Sequence, residues 1–187
     1  GTGRWALLLA RKAKKVAAVE PSPAMLEMLR ENLRAGGVTN VDVVAGFWPD
    51  VDVPAHDVSL CSHAMYGTPD LPLFVRRMVG VTRRACYLLV RVPTADGVMP
   101  EAAMHLWGQP HDSPNFVIAY NVLLQMGIYA NVLVDAHCRC WTSDSLDDAL
   151  ADLKRRLALG DDATHDAYLA DLLRRKLTPT RDGKYAW

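Results

Sequence analysis

The chain has 187 residues, half of them hydrophobic and 22% charged, which is enough to bury a sizeable core and leaves little room for disorder. Its 21 basic and 21 acidic side chains cancel, so no global field draws it to nucleic acid or to an anionic membrane, and neither partner is expected. Four cysteines, Cys61, Cys86, Cys138 and Cys140, are too few and too unevenly spaced for a disulfide framework and read as reduced thiols.

Gly1-Thr2-Gly3 runs straight into Arg4 to Ala13, which reads as a helix behind a glycine turn. Val16-Ala17-Ala18-Val19 is a short apolar run suited to a buried parallel strand, and it ends at Glu20. Ser22 caps the next helix with Pro23 at its first position; Met25, Leu26, Leu29 and Leu33 supply the apolar stripe, and Gly36-Gly37 stops it. Val41 to Ala45 and Asp57 to Ser62 read as two further strands, Leu71 to Val81 as a helix opened by Asp70, and Cys86 to Val92 as a fourth strand. Alternation of this kind predicts an α/β fold, a Rossmann-like doubly wound and mostly parallel sheet with helices on both faces.

The second half breaks the rhythm. Pro100 to Pro114 lacks a clear period and reads as irregular or short helical structure. Phe116 to Val134 is the longest apolar stretch, but Asn121, Gln125, Gly127 and Asn131 would be costly in a bilayer core, so it reads as a buried helix followed by a strand over Asn131 to Trp141. Ser145 with Asp148 resembles a capping box, and Leu146, Leu150, Leu153 and Leu157 line one face of the helix behind it. His165 to Lys176 is one more helix, and Gly183 to Trp187 an antiparallel strand at the sheet edge. No linker divides the chain, so residues 1–187 are expected to form one domain, with a cofactor-binding half at 1–92 and an acceptor-side and C-terminal half at 93–187. With no secretory segment visible, a cytoplasmic location is expected.

In an open parallel sheet, ligands bind beyond the carboxyl ends of the strands. The glycines at 1 and 3 let a ligand approach the main chain, and the helix behind them offers unpaired N–H groups. Glu20, at the tip of the next strand, is a carboxylate able to accept both hydroxyl protons of a ribose. Together they point to a nucleoside-containing cofactor, although either feature alone is common in ordinary turns.

Four motifs, Gly1-Thr2-Gly3, V-A-A-V-E-P-S-P-A-M-L from Val16, N-V-D-V-V-A-G-F-W from Asn40 and H-D-V-S-L-C-S-H-A-M-Y from His56, resemble successive motifs of the class I S-adenosylmethionine-dependent methyltransferases. The resemblance covers residues 1 to about 92 closely. In that family the glycine loop has an acidic residue and a further glycine ahead of this point, so the resemblance implies that the first strand and the front of the loop are missing from this chain. It implies a methyl group passed from S-adenosylmethionine to a small-molecule acceptor by in-line displacement, leaving S-adenosylhomocysteine. Gly1, Thr2 and Gly3 would approach the methionine part of the cofactor, Glu20 would hold the ribose, and Pro21, Ser22 and Met25 would sit beside ribose or adenine. Gly46, Phe47 and Trp48 stand where the family often places an acid at the adenine; here an aromatic wall could replace it, or the two rings could be core. Cys61 and Ser62 open the segment where methyl group and acceptor meet.

His63 and Tyr66 are candidates there for a general base or for orienting the acceptor, against a reading in which the histidine merely holds the loop backbone. His137-Cys138-Arg139-Cys140 invites a metal reading, but strand alternation separates His137 from the cysteines and no metal is expected. Trp107, His111, Tyr120 and Tyr129 could shape an acceptor pocket or pack in the core. Lys12, Lys14 and Lys15 read as a solvated helix end. Two rival functions share the motifs: a nicotinamide-dependent Rossmann oxidoreductase, whose fingerprint Gly1-x-Gly3-x-x-Ala6 also fits, and a non-catalytic binding or assembly subunit of the same fold.

Overall fold

Helix-breaking glycines, capping residues and apolar runs set the element boundaries in a computed structural model that describes residues 1–92, 97–110, 114–135 and 141–186. The chain resolves into two compact units, residues 1–89 and 90–187. The first holds α1 (Arg4–Ala10), β1 (Val16–Glu20), α2 (Pro23–Ala35), β2 (Val41–Ala45), β3 (His56–Ser62), α3 (Leu71–Gly80) and β4 (Thr82–Leu89). The fold class is α/β and Rossmann-like, as the alternation implies.

Each parallel pair is built round a helical crossover, the connection a parallel ladder requires. β1 pairs with β2 from Val16 opposite Val41 to Glu20 opposite Ala45, with α2 between them in sequence. β3 pairs with β4, Ser62 lying opposite Leu89, with α3 between them. Among the described residues these remain two separate two-stranded sheets rather than one continuous sheet.

The helices start and stop where their chemistry dictates. Ser22 Oγ accepts from the Met25 amide at 3.4 Å, and Asp70 Oδ1 accepts from the Leu73 amide at 2.8 Å, each satisfying an otherwise orphaned first-turn donor. α1 ends three residues before the predicted Ala13 because Asn40 Nδ2 donates to the carbonyls of Ala10 and Ala13, both at 2.9 Å, closing the helix from the far end of α2. Buried Ala6, Leu29 and Leu33 form a core with Leu7, Ala18, Val38, Val41 and Val43 packed against it. Phe74, Val75 and Met78 are the buried face of α3.

β4 begins four residues before the predicted Cys86 and stops at Leu89 rather than Val92. Both of its arginines, Arg83 and Arg84, are solvent-exposed. A half-exposed strand tolerates them, whereas the expected strand began only where the apolar run does, at Cys86.

The second unit holds α4 (Val98–Trp107), α5 (Phe116–Gln125), β5 (Thr142–Ser143), α6 (Leu146–Arg156), α7 (Asp166–Lys176), β6 (Thr178–Pro179) and β7 (Tyr185–Ala186). α4 lies where irregular or short helical structure was expected, and it is the helical alternative that forms. Its Pro100 falls in the first turn, where the missing N–H costs nothing, and Gly108 closes it with a left-handed φ of 68°. Val98 and Ala102 from α4, Ala149, Leu153 and Leu157 around α6, and Leu169, Leu172 and Leu173 from α7 make one buried cluster, against which Leu146 and Leu150 pack. Fully burying each such leucine contributes about 1.5–3 kcal/mol.

The strand expected over Asn131 to Trp141 is not formed at 131–135, where Val132, Leu133 and Val134 are exposed, and residues 136–140 lie outside the described ones. Among the described residues the ladder begins at Thr142. The C-terminal strand is antiparallel as expected, but β7 occupies the centre of a small sheet ordered β5-β7-β6. Trp187 lies outside the described residues.

Candidate functional site

The glycine turn is shaped from below by α2. Gly3 has φ 98° and its carbonyl accepts from the Leu7 amide at 2.8 Å, so the turn feeds directly into α1. A Cβ at Gly3 would come within 2.6 Å of Leu29 Cδ1, and Asn32 Nδ2 holds the Thr2 carbonyl at 2.8 Å. Only glycine combines this φ with this approach.

Glu20, at the carboxyl end of β1, meets the same turn. One carboxylate oxygen accepts from the Ser22 amide at 2.8 Å, while the other lies against the Gly1 nitrogen. The side chain is only 13% exposed. A carboxylate offers about four lone-pair sites, so two remain for further donors. The Glu20 carbonyl also accepts from the Gly46 amide at 3.1 Å, which joins the tip of β1 to that of β2. Gly46 has φ 144°, and a Cβ there would collide with Val51.

The remaining expected cofactor contacts separate into accessible and occupied groups. Pro21 and Met25 are exposed and Ser22 is half-buried, its hydroxyl engaged as the α2 cap. Phe47 is 68% exposed. Trp48 is tied down: its indole N–H donates to the Phe74 carbonyl at 3.1 Å, its ring meets Phe74 edge-on at 6.3 Å, and the Arg77 guanidinium lies 5.9 Å from its centroid. Arg77 also donates to the Pro49 and Val51 carbonyls and pairs with Asp52 at 2.9 Å. Of the two rings, Phe47 keeps a face open for stacking.

At the carboxyl end of β3, Cys61 is buried, and burial pushes its thiol up from the ordinary range, partly offset by a backbone hydrogen bond from Ala64. Ser62 is half-buried beside it. His63 has a left-handed backbone, φ 53°, and its amide donates to the Leu89 carbonyl at 3.0 Å. Its Nδ1 and the Tyr66 hydroxyl are hydrogen-bonded at 2.7 Å, with the imidazole exposed. Buried Met65 anchors the segment between them.

These features lie in one stretch of sequence, and that stretch matches a family described as a methyltransferase domain over residues 1–85. Residues 1–85 are thus similar to the methyltransferase-domain family. Solved structures similar to the whole chain include the YcgJ protein of Bacillus subtilis, at 15% identity and TM-score 0.61, aligned over 100% of this chain and 84% of that one. A candidate methyltransferase from Bacillus halodurans C-125 aligns at 18% identity and TM-score 0.64, over 100% of this chain and 84% of that one. A candidate sarcosine dimethylglycine methyltransferase from Galdieria sulphuraria aligns at 16% identity and TM-score 0.51, over 100% of this chain and 72% of that one. At these identities the likeness is one of fold. No curated protein matches the sequence.

Within residues 1–85, sequence reasoning missed Asn32 and Arg77, which hold the glycine turn and the loop after β2. Neither stands in a motif; their partners lie 30 and 26–28 positions away. The expected acceptor-side aromatics all belong to the second unit. Tyr120 donates to the Ala130 carbonyl at 3.2 Å and stacks on Phe116, whereas Trp107 and Tyr129 are exposed. His111 and His137 to Cys140 lie outside the described residues. Lys15 pairs with Asp42 at 2.7 Å at the opposite end of β1 from Glu20. Among the described residues, no group of three or more potential ligands could hold a metal ion, and no helix is long and apolar enough to cross a membrane.

Proposed function

We propose that the chain moves a methyl group from S-adenosylmethionine to a small-molecule acceptor by in-line displacement. The observation that carries this reading is the junction of Glu20 with the glycine turn: a carboxylate fixed by the Ser22 amide, beside a turn in which Gly3 packs against Leu29 and Gly1 leaves open space. Its unused lone pairs suit a pair of ribose hydroxyls, Phe47 offers a π face to adenine, and the turn gives a charged methionine moiety access to backbone N–H groups. When bound, the sulfonium supplies a methyl carbon already activated toward attack. The protein then contributes alignment, for which proximity and orientation suffice. A small acceptor is favoured because balanced charge offers no field for a polyanion.

Calorimetric titration of S-adenosylhomocysteine, with NAD as control, tests the reading. S-adenosylhomocysteine is expected to bind and NAD not, and Glu20→Ala to weaken binding at least tenfold, about 1.4 kcal/mol. Tight NAD binding would move the domain to the oxidoreductases. Binding indifferent to Glu20 would remove the proposed ribose contact.

A further inference from the structure

We infer that this chain holds the adenine of its methyl donor by the ring face alone and does not read the 6-amino group, with Phe47 as the platform and Arg77 as its positioning residue; the inference rests on the methyl-transfer reading above. Reading that amino group would take a hydrogen-bond acceptor on the loop after β2, because the group donates through its two hydrogens. Four acceptors of residues 46–52 are already committed. The Phe47 carbonyl accepts from the Asp50 amide at 2.9 Å and from the Val51 amide at 3.2 Å, which uses both of its lone pairs. The Pro49 and Val51 carbonyls accept from Arg77 Nε and Nη2, each at 3.3 Å, and the Asp52 carboxylate takes Nη2 at 2.9 Å. Asp50 is solvent-exposed, so water already serves its carboxylate.

What the loop does present is a ring. Phe47 is 68% exposed, whereas neighbouring Trp48 is fixed against α3 by its 3.1 Å bond to the Phe74 carbonyl. The Gly46 amide donates to the Glu20 carbonyl, which sets Phe47 two residues beyond the pairing of Ala45 with Glu20, the carboxylate assigned to the ribose. Stacking asks only for a π face, and every purine has one. A ring on a loose loop would have to be ordered by the ligand, at a cost in affinity. Arg77 removes that cost: it binds Pro49, Val51 and Asp52 on one side of the turn and lies 5.9 Å from the Trp48 centroid on the other.

The consequence is one of selectivity. A site that hydrogen-bonds a polar group rejects the analogue lacking it, because the site's own partner is left unpaired. A stacking face leaves nothing unpaired, so replacing the amino group costs little. The donor is then recognised at its ribose and amino-acid ends, and the purine adds affinity without discrimination.

Calorimetric titration of the full chain compares S-adenosylhomocysteine with its 6-deamino analogue, whose purine carries hydrogen in place of the amino group. The two are expected to bind within about threefold of each other. Phe47→Ala should weaken both by about tenfold and Phe47→Trp should not, since an indole stacks as well. Asp50→Ala should leave the ratio of the two affinities unchanged. Arg77→Met should weaken both about fivefold in the unmutated background and less than about twofold in Phe47→Ala, because it acts through that ring; an arginine that merely stabilises the fold would give the same loss in each. A preference for S-adenosylhomocysteine of more than about tenfold, a change of that preference in Asp50→Ala, or binding indifferent to Phe47→Ala overturns the inference. Equal losses from Arg77→Met in both backgrounds overturn the positioning role. Failure of S-adenosylhomocysteine to bind the unmutated protein would instead bring down the methyl-transfer reading itself.

Discussion

At Gly3 two costs coincide that are usually met singly. Its φ of 98° disfavours any L side chain, and the space a Cβ would need is filled by Leu29, itself only 1% exposed and so unable to swing aside. Gly37, with φ 62°, has the first problem without the second, since nothing lies within 4 Å of its would-be Cβ. Gly37→Ala is therefore expected to cost about 1 kcal/mol from backbone strain, and Gly3→Ala about 2–3 kcal/mol, strain plus overpacking. Urea denaturation measures both, and equal losses would mean that Leu29 gives way freely. Residues whose role depends on their own backbone or near neighbours were legible in the sequence. Gly3 announces a turn, and Ser22 announces a cap two residues after the Glu20 that its amide binds. Asn32, Asn40 and Arg77 were not, because a side chain that crosses from one element to another leaves no periodic trace. The same limit applied to Trp48, whose engagement with Phe74 depends on where α3 packs.

Elements with a strong local signature came through with their bounds nearly intact: β2 spans the same five residues in sequence and structure, and α6 begins at the Ser145–Asp148 capping box. Of those resting on an apolar run alone, β1 kept its bounds, whereas the strand over Asn131 to Trp141 did not form at 131–135. A run says that residues avoid water without saying what covers them, and the exposed Val132 to Val134 find no ladder partner among the described residues. α4 was legible only as irregular or short helical structure for the converse reason, because Ala102 and Ala103 carry its buried face and small residues make a weak stripe. What ties α4 to α7 is also ionic: Glu101 Oε1 pairs with Arg175 at 2.8 Å and Oε2 with Lys176 at 3.1 Å. Hydrogen bonds from Arg175 first, and then Lys176, hold the Glu101 carboxyl below its ordinary 4.5. A depressed folded-state value means that the pair's stabilisation is fully present above that ordinary value and is lost as pH falls through the folded one. Glu101→Gln should accordingly lower the urea midpoint at pH 7, and its deficit against the unmutated protein should shrink as the pH falls below the carboxyl's ordinary value. The difference will be modest, because the pair is partly solvated and screened. A deficit constant from pH 7 to pH 3 would show that the carboxylate charge is not what joins the helices.

For the molecule as a whole, regular alternation of strand and helix made the α/β class readable through residue 89, because two βαβ crossovers repeat one simple pattern. Beyond that, leucine stripes predicted helices but not their assembly into one cluster from three elements distant in sequence. The same global view yields a colloidal expectation. Equal numbers of acidic and basic groups put the isoelectric point near 7.2, where self-repulsion vanishes. At that pH the surface still presents Tyr129 at 84% exposure and Leu133 at 95%, close together in sequence with exposed Val132 and Val134. Apolar side chains so displayed, with no net charge to hold copies apart, favour association. Light scattering at low salt should therefore be greatest near pH 7.2 and fall by pH 5.5, as the six histidines gain charge. Leu133→Asp, which removes the most exposed of these side chains and adds a charge, should lower the maximum and displace it toward acid pH. Scattering that ignores both pH and this substitution would show that neither charge balance nor the 129–134 segment governs self-association.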